Sequence, residues 1–415
     1  MNYYDDLTID NSNFLKYINN KLEIDSTDSE KNIDEQTVEK LIEIWNELDD
    51  NKNFDNFFDF TTAKEKDIYR EIIQNVIYNN EYEMNKYPID LFNNEDIEIF
   101  KNVLLQYITN IKKIDHPENL IQNNDKSILM TVVWLVMGIW WQSLTSTIKY
   151  SPALCFICLS YIFVDHYFDD VSIKKKDKKQ FAEYCYRRLF IKIKPYDLFS
   201  NKIDQVMTMM ENEYSKEKFL LTYNRLVYLY NIEMKSMKMQ SKISKSSYEY
   251  LQLTVEKGYS TLDTMMYLIY INNPEEIDQH KQNFFSLFGL FIQMADDLLD
   301  LKNDIKQKNY TYLCKLVLSK SINNIDFYIN KLCNLIKIMF KYLERSNTII
   351  ENNKELTLKR FKLFSVNILA YGVLKNKDLT SPSLVEYYKN IYLLKENDIK
   401  NMKSDLISNL KKIFI

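Results

Sequence analysis

The chain has 415 residues, enough for one large domain with an appendage, and 46% of them are hydrophobic. Its 4 Gly and 6 Pro are too few for a fold of many short strands and tight turns, so composition predicts an all-α protein. A net charge of -4 argues against a nucleic-acid partner, and five cysteines without disulfide-like spacing indicate a reducing, cytoplasmic location.

The first 95 residues differ from the rest in being rich in Asp, Glu and Asn. Met1 is followed by acidic and polar residues instead of a basic start and an apolar run, so we expect no signal peptide. Short amphipathic stretches at residues 38–48 and 67–78 predict helices. We interpret residues 1–95 as an acidic helical extension of unknown role, followed by a helical domain at residues 96–415.

From residue 96 onward the sequence predicts one long helix after another. Breaks are expected at Pro117, Pro152, Pro195, Pro274 and Pro382, because proline cannot continue a helix. Between these breaks, apolar residues recur at spacings of three and four over most of the helix surface. Helices of this kind are typical of a bundle in which helices are surrounded by other helices.

Two uncharged runs, at residues 127–148 and 153–164, raise the alternative of a membrane hairpin. The strongly apolar part of the first run is about 14 residues long, shorter than the roughly 20 that a spanning helix needs. The second run leads into Asp165 and Asp169, which would sit poorly at a membrane face without a partner. We therefore predict two core helices and no membrane span.

Two acidic clusters follow apolar stretches, one made of Asp165 and Asp169 and the other of Asp296, Asp297, Asp300 and Asp304. Within each cluster, carboxylates four residues apart share a helix face and repel one another unless a cation compensates. Magnesium is a hard ion that takes carboxylate and phosphate oxygens. Two such clusters facing each other could bind a diphosphate through magnesium; solvated helix ends are the alternative.

Residues 291–300, FIQMADDLLD, resemble the second motif of the trans-isoprenyl diphosphate synthases, a family whose relatives include the class I terpene synthases. The family's first motif, DDxxD followed by two arginines, is similar to the stretch from Asp165 to Asp169, with Lys174 and Lys175 where the arginines would be. The resemblance extends over residues 95–400 and is strongest at the second motif.

The resemblance implies an isoprenoid-synthase bundle with a central active-site cavity, an allylic prenyl diphosphate as substrate, three Mg²⁺ ions bound with that diphosphate, and a homodimer. It implies metal ligands at Asp165, Asp169, Asp296, Asp297 and Asp300. It implies catalytic roles for Asp165, Asp169, Asp296 and Lys257, and substrate binding by Lys126, Lys174, Lys175, Lys257, Gln293 and Lys306.

The sequence departs from the family pattern at three positions. His166 replaces the middle aspartate of the first motif, which is tolerable because it points about 100° away from the metal-binding face. Gly258 follows Lys257 where the family has threonine. Leu129 stands where an arginine would bind isopentenyl diphosphate, so the site for a second substrate is weakened.

Three functions remain open on these residues. The first is a short-chain prenyl diphosphate synthase of the farnesyl or geranylgeranyl type, a product length that Tyr161 before the first motif would favour. The second is a terpene synthase, which ionises the allylic diphosphate without isopentenyl diphosphate and is favoured by Leu129. The third is a catalytically silent family member that serves as a partner subunit.

Overall fold

The computed structural model describes residues 28–50, 94–114, 138–139, 141–142, 144, 148–169, 172–240, 246–319, 325–346 and 351–391. Across these residues the elements are twelve α-helices and one 3-10 turn without any strand, which confirms the predicted all-α class. The helices are α1 (Asp28–Glu47), α2 (Asn94–Ile114), α3 (Pro152–Asp169), α4 (Lys175–Phe190), α5 (Leu198–Glu213), α6 (Lys216–Gln240), α7 (Ser247–Ile269), α8 (Gln279–Gln307), α9 (Tyr312–Leu318), α10 (Asp326–Arg345), α11 (Glu351–Lys375) and α12 (Pro382–Ile391).

Prolines mark the helix boundaries where the sequence predicts them. Pro152 and Pro382 are the first residues of α3 and α12, a position where the missing N–H has no intrahelical partner to lose. Pro274 begins the 3-10 turn between α7 and α8, and Pro195 lies between α4 and α5. Pro117 lies outside the described residues.

The two central helices, α7 and α8, begin at well-defined caps. Ser246 accepts a hydrogen bond from the backbone N–H of Glu249 at 3.2 Å, and the Glu249 carboxylate accepts one from the Ser246 N–H at 2.9 Å. Asp278 accepts a hydrogen bond from the backbone N–H of Lys281 at 2.7 Å at the start of α8. Because these caps satisfy N–H groups that would otherwise lack partners, they fix where each helix starts and which side chains face its neighbours.

The backbones of α7 and α8 touch at Gly258 and Gly289. A Cβ on Gly258 would lie 2.4 Å from the carbonyl oxygen of Gly289, and a Cβ on Gly289 would lie 2.3 Å from that of Gly258. A Cβ on Gly258 would also lie 2.9 Å from the Cβ of Gln293. This close approach leaves no room for a side chain at either position, which accounts for the glycine after Lys257.

Other helices enclose α7 and α8: α7 also packs on α6, α3 and α9, and α8 on α10, α11 and α9. The first half of α8 contributes a row of buried rings, Phe284, Phe288 and Phe291, with centroids 5.4 and 6.1 Å apart. Trp141 meets Phe288 edge-on at 5.8 Å. The predicted bundle with enclosed helices is therefore confirmed for the described part of the chain.

Helix α1, which belongs to the predicted N-terminal extension, packs into this core against α7 and α8. Its buried face is made of Val38, Leu41, Ile42, Trp45 and Leu48. Trp45 meets the ring of Tyr328 in α10 edge-on at 5.2 Å. The Lys331 ammonium donates hydrogen bonds to the carbonyl oxygens of Trp45 at 2.8 Å and of Asn46 at 3.0 Å, which caps the end of α1. The helix predicted at residues 67–78 lies outside the described residues.

No helix within the described ranges is both long enough and apolar enough to span a membrane. Helix α3, which contains the whole second uncharged run, is buried from Pro152 to Leu159 against neighbours that include α5 and α7. Its apolar surface is thus covered by other helices of the bundle.

Candidate functional site

The second acidic cluster lies on the C-terminal half of α8. Asp296 and Asp300 are exposed, Asp304 is partly buried, and Asp297 is only 3% exposed. Because Asp296, Asp300 and Asp304 follow one another at intervals of four residues, their side chains form a carboxylate stripe along one helix face. Asp297 lies outside this stripe.

Asp297 points toward α7. Its carboxylate accepts a hydrogen bond from the Thr254 hydroxyl and another from the Gln293 side-chain amide, each at 3.3 Å. Burial raises the pKa of Asp297 well above its usual range and neighbouring Asp296 adds to the rise, while the Gln293 hydrogen bond opposes it. The hydrogen bond from Thr254 to Asp297 therefore links the two central helices, and Gln293, on α8 itself, supplies the second donor to this carboxylate.

Two carboxyls of the stripe, those of Asp296 and Asp304, have raised pKa values. Reduced hydration raises the pKa of Asp296 to about 6, and Asp300 adds to this shift. The same two causes raise the pKa of Asp304 to about 7, although a hydrogen bond from the Asn309 amide at 3.2 Å works in the other direction. A bound cation would relieve this repulsion, because it would stabilise the ionised carboxylates.

Lys257, on the neighbouring helix α7, is a lysine whose charge acts on the pKa values of this cluster. Its ammonium opposes the rise in the pKa of Asp296, Asp297 and Asp304. The Nζ of Lys257 also lies 3.3 Å from the Oε2 of Glu233 in α6. The predicted residues Lys257, Asp296 and Asp297 thus interact electrostatically, with the lysine on α7 and the two carboxyls on α8.

Three residues at this place were not predicted from the sequence. Glu233 of α6 pairs with Lys257, and Thr254 of α7 donates to Asp297. Lys375, the last residue of α11, lies with its Nζ 3.4 Å from the Oδ1 of Asp300. None of them belongs to a local motif. They join the site because helices distant in the sequence pack together.

The first acidic cluster lies at the C-terminal end of α3. Asp165 and Asp169 belong to its last two turns, and their side chains lie outside the described part of the structure. Between them, the Tyr167 ring packs on Phe181 of α4 and Phe199 of α5, with centroids 4.1 and 4.8 Å apart. This end of α3 is therefore anchored in the bundle.

The lysines predicted to bind substrate lie in different parts of the chain. Lys174 is exposed immediately before α4, and Lys306 is exposed in the last turn of α8. Lys175 is the first residue of α4, and its side chain lies outside the described part. Lys126 lies outside it entirely. Of the predicted lysines that the structure describes, Lys257 is therefore the one whose charge acts on the carboxylates of α8.

Among the described side chains, no three or more histidines, cysteines, aspartates or glutamates are grouped closely enough to hold a metal ion by themselves. The oxygen atoms that could contribute to such a site are the carboxylates of the stripe. No family model matches the chain, and neither a curated protein nor a solved structure matches it.

Proposed function

We propose that this chain is a magnesium-dependent isoprenoid-diphosphate enzyme that ionises an allylic prenyl diphosphate, acting as a short-chain prenyl diphosphate synthase. The observation that carries the proposal is the position of Lys257 beside the carboxylate stripe. The ammonium groups of Lys257 and Lys375 could meet a phosphate there, but carboxylates outnumber them. Such a place attracts a diphosphate only when divalent cations are bound as well.

The residues of the stripe fit magnesium as a partner. All their donor atoms are carboxylate oxygens, which this ion prefers. Magnesium usually takes only one or two carboxylates, keeps several waters and completes its shell with substrate phosphates. A closed cage of protein ligands is thus unnecessary. Asp296 and Asp300 of α8, with Asp165 and Asp169 of α3, would hold the ions, which would neutralise charge on the departing diphosphate.

The exposure of Asp296 makes its carboxyl accessible to Mg²⁺ and to a ligand. Reduced hydration and the neighbouring Asp300 raise its pKa to about 6. A bound cation would favour the ionised form of this carboxyl.

The roles of the chain's own groups follow from their charges. As the allylic carbon–oxygen bond breaks, both bonding electrons leave with the diphosphate oxygen. The positive charge of the Lys257 ammonium would stabilise the negative charge that develops on this oxygen. Gln293 and Thr254 hold Asp297 against α7, which keeps Lys257 and Asp296 in fixed register. Asp296 acts in its ionised form, which a bound cation favours, so with Mg²⁺ present activity should fall only below about pH 6.

A terpene synthase is the second candidate, favoured by one specific observation. Leu129 occupies the position of the arginine that would bind isopentenyl diphosphate in the family that the sequence resembles. An enzyme that cyclises the allylic cation has no need of that residue. A silent partner subunit is disfavoured because an idle metal site would have little reason to keep like charges packed together on α8.

The experiment that tests the proposal is a product assay on the full chain with Mg²⁺ and geranyl, farnesyl or geranylgeranyl diphosphate, with and without isopentenyl diphosphate. A longer diphosphate that forms only with isopentenyl diphosphate would support chain elongation. A hydrocarbon or alcohol that forms without it would support the terpene synthase. No turnover of any allylic diphosphate would contradict both and leave the silent subunit.

Two variants link the assay to the site. Asp296→Asn should reduce turnover by ~10²-fold or more, because it removes a charged group from a place where transition-state charge is stabilised. Asp378→Asn is the matched control: it makes the same change at an exposed aspartate that pairs with Lys302 just beyond the C-terminal end of α11. Equal losses in the two variants would count against a catalytic role for the stripe.

A further inference from the structure

Lys257 and Glu233 form an ion pair across the interface of α6 and α7. The distance from Nζ to Oε2 is 3.3 Å, and the two side chains are 19% and 26% exposed. The other oxygen of Glu233, Oε1, is buried and receives no hydrogen bond from any described residue. Glu233 is therefore held at Lys257 through one oxygen, and its second oxygen has lost water without gaining a donor, which is a costly arrangement.

A second ion pair on the same two helices provides a comparison. Lys235 of α6 pairs with Glu256 of α7, whose other oxygen accepts a hydrogen bond from the Gln252 amide at 3.0 Å. Both oxygens of Glu256 thus have partners, as expected in a structural pair. Glu233 has the same charge and a similar location, but its hydrogen bonding is incomplete.

Glu233 also contributes to the field at the carboxylate stripe. Its charge raises the pKa of Asp296, while Lys257 lowers it. Glu233 on α6 and Asp296 on α8 are therefore two carboxylates on different helices, and both interact with the charge of Lys257. An anion that takes Lys257 must compete with Glu233 for the ammonium group.

We propose that Glu233 is a positioning residue that holds Lys257 in the substrate-free site and releases it to the diphosphate. This inference rests on the proposed function, because it concerns the diphosphate-binding lysine of the same site. The step is an exchange of ion pairs with no covalent change: the Lys257 ammonium leaves the Glu233 carboxylate and pairs with a diphosphate oxygen. In the substrate-free protein, Glu233 keeps the Lys257 side chain extended toward the site. It also competes with the diphosphate for the ammonium group.

The competition makes a prediction opposite to that for an ordinary binding residue. Partly exposed ion pairs contribute ~0.2–1 kcal/mol, so removing the competitor should tighten diphosphate binding about 1.4- to five-fold. A binding residue would weaken it when removed. The gain should also depend on Lys257, because Glu233 acts through that lysine.

The test measures the binding of inorganic diphosphate with Mg²⁺ to the full chain by titration calorimetry. Glu233→Gln should bind more tightly than the unaltered protein. In a Lys257→Met background, adding Glu233→Gln should leave the affinity unchanged. Glu256→Gln is the matched control, since it removes the same charge from the same pair of helices, and it should give no gain. Thermal melts would show that each variant is folded.

Each other outcome overturns the inference. Equal tightening with and without Lys257 would mean that Glu233 merely repels the anion, and equal tightening in Glu256→Gln would mean a general charge effect. Unchanged or weaker binding in Glu233→Gln would show that Glu233 does not compete with diphosphate for Lys257. If the unaltered chain binds no diphosphate with Mg²⁺, the proposed function fails with it; if it does bind, only the role of Glu233 is at stake.

Discussion

Arg225 of α6 and Asp263 of α7 face each other inside the bundle, with Nε 3.2 Å from Oδ2 and with side chains only 13% and 2% exposed. The same guanidinium pairs with Asp34 of α1, at 2.5 Å from Nη1 to Oδ1. The hydroxyl of Tyr259 donates a hydrogen bond to Asp34 at 2.8 Å. One arginine thus serves two buried carboxylates and joins three helices.

Replacing this arginine should destabilise the protein severely. Arg225→Met would leave Asp34 and Asp263 buried without a cation, and breaking a buried pair in this way costs about 3–5 kcal/mol of unfolding free energy. Urea unfolding followed by circular dichroism would measure the loss. Arg345→Met, at an exposed position at the end of α10, is the control and should change stability by less than about 0.5 kcal/mol. Similar midpoints for the two variants would contradict the role of the network.

Asp263 should make stability fall as pH rises. Burial raises its pKa to about 7, although Arg225 lowers it, whereas an unfolded aspartate titrates near its usual pKa of about 4. Between these values the folded state binds more protons than the unfolded state, so its advantage is lost as pH increases through about 7. Asp263→Asn should flatten this part of the curve in urea titrations from pH 4.5 to 8.5. An unchanged slope would mean that the carboxyl is ionised throughout.

Neither of the glycines at which α7 touches α8 should tolerate a side chain. Gly258→Ala and Gly289→Ala each force a methyl group against a backbone carbonyl and should cost about 1–3 kcal/mol or more. Gly138→Ala is the matched control, since its nearest neighbour would be the Leu154 side chain at 3.5 Å, an ordinary contact. That variant should be neutral or gain up to about 1 kcal/mol from better helix propensity. Thermal melts of the three variants would reveal the difference.

Trp45 should be as important to stability as a residue of the central helices. Its side chain is 1% exposed, and Trp45→Ala should cost about 3–5 kcal/mol through the cavity it leaves. Glu43→Ala, on the exposed face of α1, should have little effect. A mild effect of Trp45→Ala in denaturant unfolding would mean that α1 is only loosely attached to the core.

Magnesium should stabilise the protein more at high pH than at low pH. Asp296 and Asp304 have pKa values raised to about 6 and about 7, so protons occupy the stripe at pH 5 and compete with the ion. At pH 8 both carboxyls are ionised, and bound Mg²⁺ should raise the melting temperature. The same shift at both pH values, or its persistence in the double variant Asp296→Asn and Asp304→Asn, would place the ion elsewhere.

The sequence predicted the features that depend on neighbours along the chain. Proline at 152, 274 and 382 marks the start of an element, and Asp296 and Asp300 share a face because they are one turn apart. It did not predict the pairing of Glu233 with Lys257, which lie on different helices. Apolar periodicity shows which side of a helix is covered but not which helix covers it.

The same limitation applies to Gly258 and to the N-terminal extension. The sequence alone gives no reason for the glycine at position 258. The reason is its close contact with Gly289, which the structure shows. The sequence predicts an amphipathic helix at residues 38–48, but not what its apolar face packs against. Contacts with distant helices, such as those of Trp45 with Tyr328 and of Asp34 with Arg225, make α1 part of the core.

The capping of α1 by Lys331 has a consequence for how the chain folds as it is made. The hydrogen bond from Lys331 to Trp45 spans 286 residues, which a ribosome adds in roughly 15–60 s at about 5–20 residues per second. During that interval the apolar face of α1 lacks its α10 partner. Nascent chains arrested before residue 325 should therefore be cut by protease near the C-terminal end of α1 more readily than finished chains. The first described helix can already pack on α6, α7 and α8 at that stage, but its C-terminal end acquires its cap only when one of the last helices is made.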